Sequence, residues 1–299
     1  MKHILSIADL SPDEVWRLIA EAGKHNREEV LKGRVLALLF EKPSLRTRVS
    51  FEVAMHQLGG WSLYLSPQEV GLGQREAIPD VARVLGRFVH GLVLRTFSQE
   101  SLRFLAQHAT IPVINGLSDE EHPCQALADL LTIYQKRGKL AGLTLAFIGD
   151  GNNVAHSLLL GCALMGLNFR MACPQGYEPQ PLIVQRARAL AAQSNCEVSF
   201  FLRPEEAVKG ADVVYTDVWT SMGQEAEAEV RRHKFAHYQV NKELLSSATE
   251  AALFMHPLPA HHGEEIALGL LDHPQSVVFD QAENRLHVQR ALLAELLAP

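Results

Sequence analysis

The chain is poor in several residue types whose absence narrows its function. Its 299 residues include only four cysteines, Cys124, Cys162, Cys173 and Cys196, and none falls in a CxxC pair or at zinc-ligand spacing. Neither a disulfide framework nor a structural metal site is indicated, and a reducing, cytoplasmic setting is expected. Long apolar runs are also missing. The longest, residues 158–169, is broken by Gly161, Gly166 and Asn168 and is too short to span a bilayer, so no membrane role is expected. The opening residues MKHILSIADLSPDEV lack the apolar stretch of a secretory signal. Nor is there an excess of positive charge: Lys and Arg total 28 against 34 Asp and Glu, a formal net charge of −6. That balance excludes the broad basic face of a nucleic-acid-binding protein, while leaving room for a small positive pocket.

What is present is a globular composition, 47% hydrophobic and 21% charged, on a chain long enough for two ordinary domains. Residues 35–40, VLALLF, form a continuous apolar run of the kind buried on both faces of a parallel sheet. Similar short runs recur at 61–65, 92–95 and 112–115, then at 143–148, 169–173, 198–201, 213–216 and 252–255, with helical patterns between most of them. One helix places Ile78, Val81, Leu85 and Phe88 on a single face, and another is predicted over 121–136. This alternation predicts an α/β fold of two open, doubly wound parallel-sheet domains with an interdomain active-site cleft, the ligands lying beyond the carboxyl ends of the strands. The expected boundaries are residues 1–136, joined by a C-terminal helix over 282–299, and residues 143–281.

The first strand runs into Glu41-Lys42-Pro43-Ser44-Leu45-Arg46-Thr47-Arg48. Ser44 can cap the following helix, whose open N–H groups then face an anion, and Arg46 and Thr47 add a guanidinium fork and a hydroxyl. An ordinary cap with a surface Arg48–Glu52 pair would look similar in isolation. The longer string SxRTR, however, resembles the signature of the aspartate and ornithine carbamoyltransferase family. So does His122-Pro123-Cys124-Gln125-Ala126-Leu127-Ala128-Asp129, which is similar to that family's HPxQxLxD motif, and Arg95 ends the third strand where the family has an arginine. The resemblance covers essentially the whole chain.

It implies attack of an amine on the carbonyl carbon of carbamoyl phosphate, without metal or organic cofactor. By resemblance, Ser44, Arg46, Thr47 and Arg95 hold the phosphate together with the Leu45 N–H. Arg46, Thr47 and His122 bind the carbonyl oxygen, and Gln125 contacts the carbamoyl amide. Arg46, Arg95, His122 and Asp217 are the expected catalytic residues. Near the C-terminus, Gln281-Ala282-Glu283-Asn284-Arg285 matches the family's QxxNR segment and implies that Arg285 returns to the same anion. Among the 14 histidines, His233 and His237 also sit at a metal-compatible spacing, but without HExxH or a third ligand they are expected on the surface.

The second half opens with Gly149-Asp150-Gly151-Asn152-Asn153, which imitates a dinucleotide fingerprint but lacks its third glycine and the later ribose-binding acid. The resemblance instead assigns Asn153 to the amino-acid end of ornithine. Asp217-Val218-Trp219-Thr220-Ser221-Met222-Gly223 is similar to the DxxxSMG segment of ornithine-type members, in which the aspartate engages the side-chain amine and Ser221 and Met222 contact the α-amino acid moiety. An acid suits a cationic acceptor and opposes the carboxylate of aspartate.

One position departs. Ornithine-type members usually read HCLP where this chain has His256-Pro257-Leu258-Pro259, so a thiol contribution is absent, while the Leu258 carbonyl remains able to accept from the carbamoyl NH₂. Aspartate-type members carry proline there. The chain as given stops at Pro299, without the tail that braces a neighbouring subunit in putrescine carbamoyltransferases.

The partners implied are carbamoyl phosphate, L-ornithine and further copies of the chain in a trimer, with Gly71 to Glu76 near a neighbour's site and a role in arginine biosynthesis. The rival readings are a sibling enzyme using aspartate, putrescine or N-acylornithine, a catalytically silent homologue, and a nicotinamide-dependent dehydrogenase.

Overall fold

Two all-parallel sheets carry the fold of a computed structural model that describes residues 2–24, 28–221 and 223–298. The described residues divide into two units, one running to Leu131 and resuming at Glu283, the other running from Thr132 to Ala282.

In the first unit the strands are β1 (Val35–Phe40), β2 (Trp61–Leu65), β3 (Gly91–Arg95) and β4 (Val113–Leu117), in the order β2-β1-β3-β4. Helix α1 (Pro12–Ala22) precedes them, and α2 (Leu45–Gln57), α3 (Pro67–Val70), α4 (Ile78–Phe88) and α5 (Gln99–His108) fall between or beside them. The apolar run of β1 is fully buried from Leu36 to Phe40, as a strand covered on both faces must be. Its register pairs Phe40 with Arg95, which sets the ends of β1 and β3 side by side. The chain leaves these two strands toward opposite edges of the sheet, so their carboxyl ends form a topological switch point, the usual ligand position in open α/β sheets.

The second unit contains β5 (Thr144–Ile148), β6 (Asn168–Ala172), β7 (Val198–Phe201), β8 (Val213–Thr216) and β9 (Leu253–Met255), in the order β7-β6-β5-β8-β9. The division between units falls within α6 (Pro123–Arg137) and again within the last helix. The helices of the second unit are α7 (Asn153–Met165), α8 (Pro181–Ser194), α9 (Pro204–Val208), α10 (Ala228–Phe235) and α11 (Lys242–Leu245). Every residue of α7 from Val154 to Met165 is buried, consistent with a helix that is apolar all round. Here the switch point lies between β5 and β8.

The fold class is as the pattern predicts, with local differences. The final helix, α12 (Val278–Leu297), begins four residues before the expected start at 282. Phe88 is 71% exposed, so the apolar face expected on α4 overruns the core at its last turn, and Val81 and Ala82 carry the burial. His233 and His237 are exposed, as expected. In the first unit Gly91 admits the last turn of α12: a Cβ there would stand 2.8 Å from Leu297 Cδ2.

Candidate active site

At the switch point of the first unit, Ser44 caps α2 from an extended conformation, its Oγ accepting from the Thr47 N–H at 3.3 Å. The Ser44 hydroxyl lies 3.0 Å from Thr47 Oγ1, which also accepts from Arg285 Nη2 at 2.6 Å. Leu45 opens α2, so its N–H is among the helix donors that have no intrahelical acceptor. Arg95 is buried at the end of β3, and its Nε has no hydrogen-bond partner among the described residues. Burial, Arg285 and Arg46 together push its guanidinium down to about 9. Burial also lowers Arg46.

His122, immediately before α6, is buried and held well below its ordinary value, first by desolvation and then by Arg285 and Arg95. It is therefore neutral at pH 7 and can offer one ring N–H. Cys124 is pushed up to about 12 by burial and stays a thiol. In the first turn of α6, Gln125 Nε2 donates to Asp129 Oδ1 at 2.9 Å, leaving a buried Oε1 without a hydrogen-bond partner among the described residues. Like charges crowded in low dielectric, with the buried Arg95 Nε–H unsatisfied, are costly until an anion enters. The surroundings of Arg95 therefore suit a small dianion, and the Gln125 oxygen suits an amide N–H beside it. Lys42 was not singled out by its sequence position, yet it is buried with Nζ 4.2 Å from the Phe97 ring centroid.

In the second unit Asp217 follows β8 and is only 8% exposed. Its Oδ2 accepts from Asn152 Nδ2 at 2.8 Å and its Oδ1 from the Val218 N–H at 2.8 Å. Burial raises its carboxyl above the ordinary value, against the pull of His256 and of these two donors. Asn152 caps α7, accepting from the Val154 and Ala155 N–H groups through its side-chain oxygen. Asn153, the residue expected from the motif, is the first residue of α7 and half-buried, while its neighbour Asn152 makes the link to Asp217. The Ser221 N–H donates to Gln224 Oε1 at 3.1 Å, and Met222 lies outside the described residues.

His256 and Glu265 are both fully enclosed. The Leu258 N–H donates to His256 Nδ1 at 2.9 Å, and His256 Nε2 lies 3.2 Å from Glu265 Oε1. Leu258 is held at φ 56, a left-handed conformation that a leucine rarely adopts and that needs such support. Glu265, lowered by its hydrogen bonds with His256 and the His261 N–H despite burial, closes the same loop from its far end. His261, Glu264 and Glu265 bring possible ligand atoms within 4.8 Å of one another, but Arg232 Nε donates to Glu264 at 2.8 Å and Glu265 Oε1 already accepts from the His261 N–H.

The false dinucleotide fingerprint also has a physical explanation. A Cβ on Gly151 would lie 2.4 Å from the Glu178 carbonyl carbon and the Pro179 nitrogen, so the chain's own backbone demands this glycine. A pyrophosphate need not be invoked.

The cluster of Arg46, Arg95 and Arg285 at one switch point suits a small anion, and the buried carboxylate of Asp217 at another suits a cationic group, a pairing compatible with an enzyme of phosphate-bearing substrates. The chain belongs to the aspartate/ornithine carbamoyltransferase family: residues 2–135 match the family's carbamoyl-P binding domain and residues 141–296 its Asp/Orn binding domain. It is 52% identical to the ornithine carbamoyltransferase of Anoxybacillus flavithermus, over 99% of this chain and 96% of that protein. It is 51% identical to the enzyme of the same name from Thermococcus kodakarensis, over 98% and 91%. Among solved structures, ornithine carbamoyltransferase from Pyrococcus furiosus superposes with a TM-score of 0.95 at 48% identity, covering 99% of this chain and 97% of that one.

Proposed function

We propose that this protein transfers the carbamoyl group of carbamoyl phosphate to the δ-amine of L-ornithine, giving L-citrulline and phosphate. The observation that carries the acceptor is the buried carboxylate of Asp217, which suits an alkylammonium and disfavours the second carboxylate of aspartate. The shared name of the relatives supports the same choice.

Carbamoyl phosphate is bound by Ser44, the Leu45 N–H, Arg46, Thr47, Arg95 and Arg285, within residues 1–136 and the final helix. Neutral His122 donates to the carbonyl oxygen as negative charge builds on it, beside Arg46 and Thr47. Gln125 Oε1 and the Leu258 carbonyl accept from the carbamoyl NH₂. Residues 143–281 bind ornithine through Asn153, Asp217, Ser221 and Met222. The δ-amine, with a reference pKa near ~10.4, is neutral in well under one molecule in a hundred at pH 7. Asp217 orients it, the amine nitrogen attacks, the C–O bond to phosphate breaks, and the amine proton leaves with the phosphate.

The departure at Pro257 removes a thiol and leaves the backbone at Leu258 held by His256. The protein acts in the cytoplasm, in arginine biosynthesis, as a homotrimer. No helix among the described residues is long and apolar enough to cross a membrane. Self-association is supported by apolar side chains exposed on touching elements of the first unit: Leu45, Val49 and Val53 on α2, and Trp61 and Leu63 on β2.

The test is a product assay with carbamoyl phosphate and, separately, ornithine, aspartate, putrescine and N-acetylornithine. Citrulline from ornithine alone is expected. Preferential carbamoylation of aspartate would overturn the acceptor, and no product with any amine would overturn the reaction.

A further inference from the structure

Arg231 enters the second unit from α10 with its side chain only 7% exposed. Its Nη1 donates to Asp150 Oδ2 at 2.9 Å and to the Trp219 carbonyl at 3.0 Å, and its Nε donates to Glu227 at 3.1 Å. The guanidinium carbon lies 5.0 Å from the Tyr177 ring centroid. Asp150 and Trp219 belong to the loops that follow β5 and β8, so a single side chain ties these two loops together.

The same loops supply the two groups that fix the Asp217 carboxylate, the Asn152 side-chain amide and the Val218 N–H. Asn152 is two residues beyond Asp150, and Val218 immediately precedes Trp219. Hydrogen bonds from the loop's own side chains contribute little at this point: Trp219 Nε1 and Thr220 Oγ1 are buried without hydrogen-bond partners among the described residues.

The ion pair is an expensive way to fill this space. Burial pushes the Asp150 carboxyl up to about 6 in spite of Arg231, with Asp217 and Glu227 adding to the rise. Buried pairs of this kind are often no more stabilising than apolar residues of similar volume, so packing alone does not account for it.

We propose that Arg231, paired with Asp150, is a positioning residue for the amine acceptor: it sets the orientation of the Asp217 carboxylate and the start of the 218–224 segment without touching substrate. This rests on Asp217 receiving the amine. It predicts a defect concentrated on the acceptor, because the groups assigned to the phosphate on Ser44, Arg95 and Arg285 belong to the other unit.

The test uses Arg231→Met, which retains an unbranched stem over Tyr177, with Arg231→Lys and Asp150→Asn. The wild-type protein is assayed first against the four amines, which decides the proposed function independently. If an amine other than ornithine is used, the variants are measured with that amine. At saturating carbamoyl phosphate, Arg231→Met is expected to raise the acceptor KM about 10- to 100-fold, the loss of charge-assisted hydrogen bonds, with kcat falling less. Carbamoyl phosphate affinity by calorimetry should stay within about twofold. Arg231→Lys should recover part of the loss, and the double variant Arg231→Met/Asp150→Asn should be no worse than Arg231→Met.

An unchanged acceptor KM in folded Arg231→Met, or equal losses of acceptor and carbamoyl phosphate binding, would overturn the proposal. Should Arg231→Met fail to fold, Arg231→Lys and Asp150→Asn carry the same test, and unchanged acceptor KM in both overturns it.

Discussion

Arg285 Nη2 donates to Thr47 Oγ1 at 2.6 Å, although 238 residues separate the two in sequence. Helix α12 returns a guanidinium to the N-terminus of α2, where Ser44 already caps the helix through the Thr47 N–H. Arg285 thereby joins Arg46 and Arg95 in one positive field, since Arg285 and Arg46 both depress Arg95. Arg285→Met should weaken carbamoyl phosphate binding by about 1.5–3 kcal/mol, roughly 10- to 150-fold, for a lost charge-assisted contact. Calorimetric titration with carbamoyl phosphate or inorganic phosphate measures it. An affinity within twofold of the wild type would remove Arg285 from the anion site.

The neutrality of His122 has a consequence for stability. Its ring is held well below 6.5 by burial and by Arg285 and Arg95, whereas the unfolded chain takes up the proton near the ordinary value. Between those two values the unfolded state binds more protons, so stability rises with pH. The contribution is complete above about 6.5 and is lost as the pH falls toward the folded value. His122→Gln keeps a hydrogen-bonding side chain and cannot titrate. Thermal melts from pH 7.5 to 5 should therefore show a smaller decline for His122→Gln than for wild type. Parallel declines would mean that His122 is not neutral in the fold.

Sequence legibility differs sharply between the two ligand sites. Ser44, Arg46 and Thr47 fall within one short string beside a helix start, so local chemistry and register make them visible. Arg95 and Arg285 are visible only through motif resemblance, because strand pairing and the return of α12 bring them near. Asn152 and Asn153 are indistinguishable as neighbours in sequence, and only the cap of α7 decides which amide reaches Asp217.

Arg231 is hidden in the polar string AEVRRHKF, which reads as a solvated helix. The available signal was its spacing of four from buried Phe235, which puts both on one face of α10 while Arg232 remains exposed. Glu265 is hidden for another reason: its role depends on two ends of the His256 to His261 loop converging on one carboxylate. The same dependence on three dimensions explains Phe88, whose helical spacing is apolar although its last turn extends past the core.

Pro257 is the position where this chain departs from the HCLP pattern, and its consequence can be derived from the backbone. The residue is buried, and its ring fixes φ immediately before Leu258, whose φ of 56 is supported by the hydrogen bond from its N–H to His256 Nδ1. Pro257→Cys would supply a thiol and free the chain at this point. Greater freedom in the unfolded state should cost about 0.4–1 kcal/mol of stability. The Leu258 carbonyl should remain in place, because the N–H of the same residue is held by His256, whose ring is in turn hydrogen-bonded to Glu265. Ornithine KM and kcat are therefore expected within about threefold of wild type, with a slightly lower melting temperature. A gain in kcat/KM for ornithine of tenfold or more, about 1.4 kcal/mol, would show instead that the missing thiol limits this enzyme.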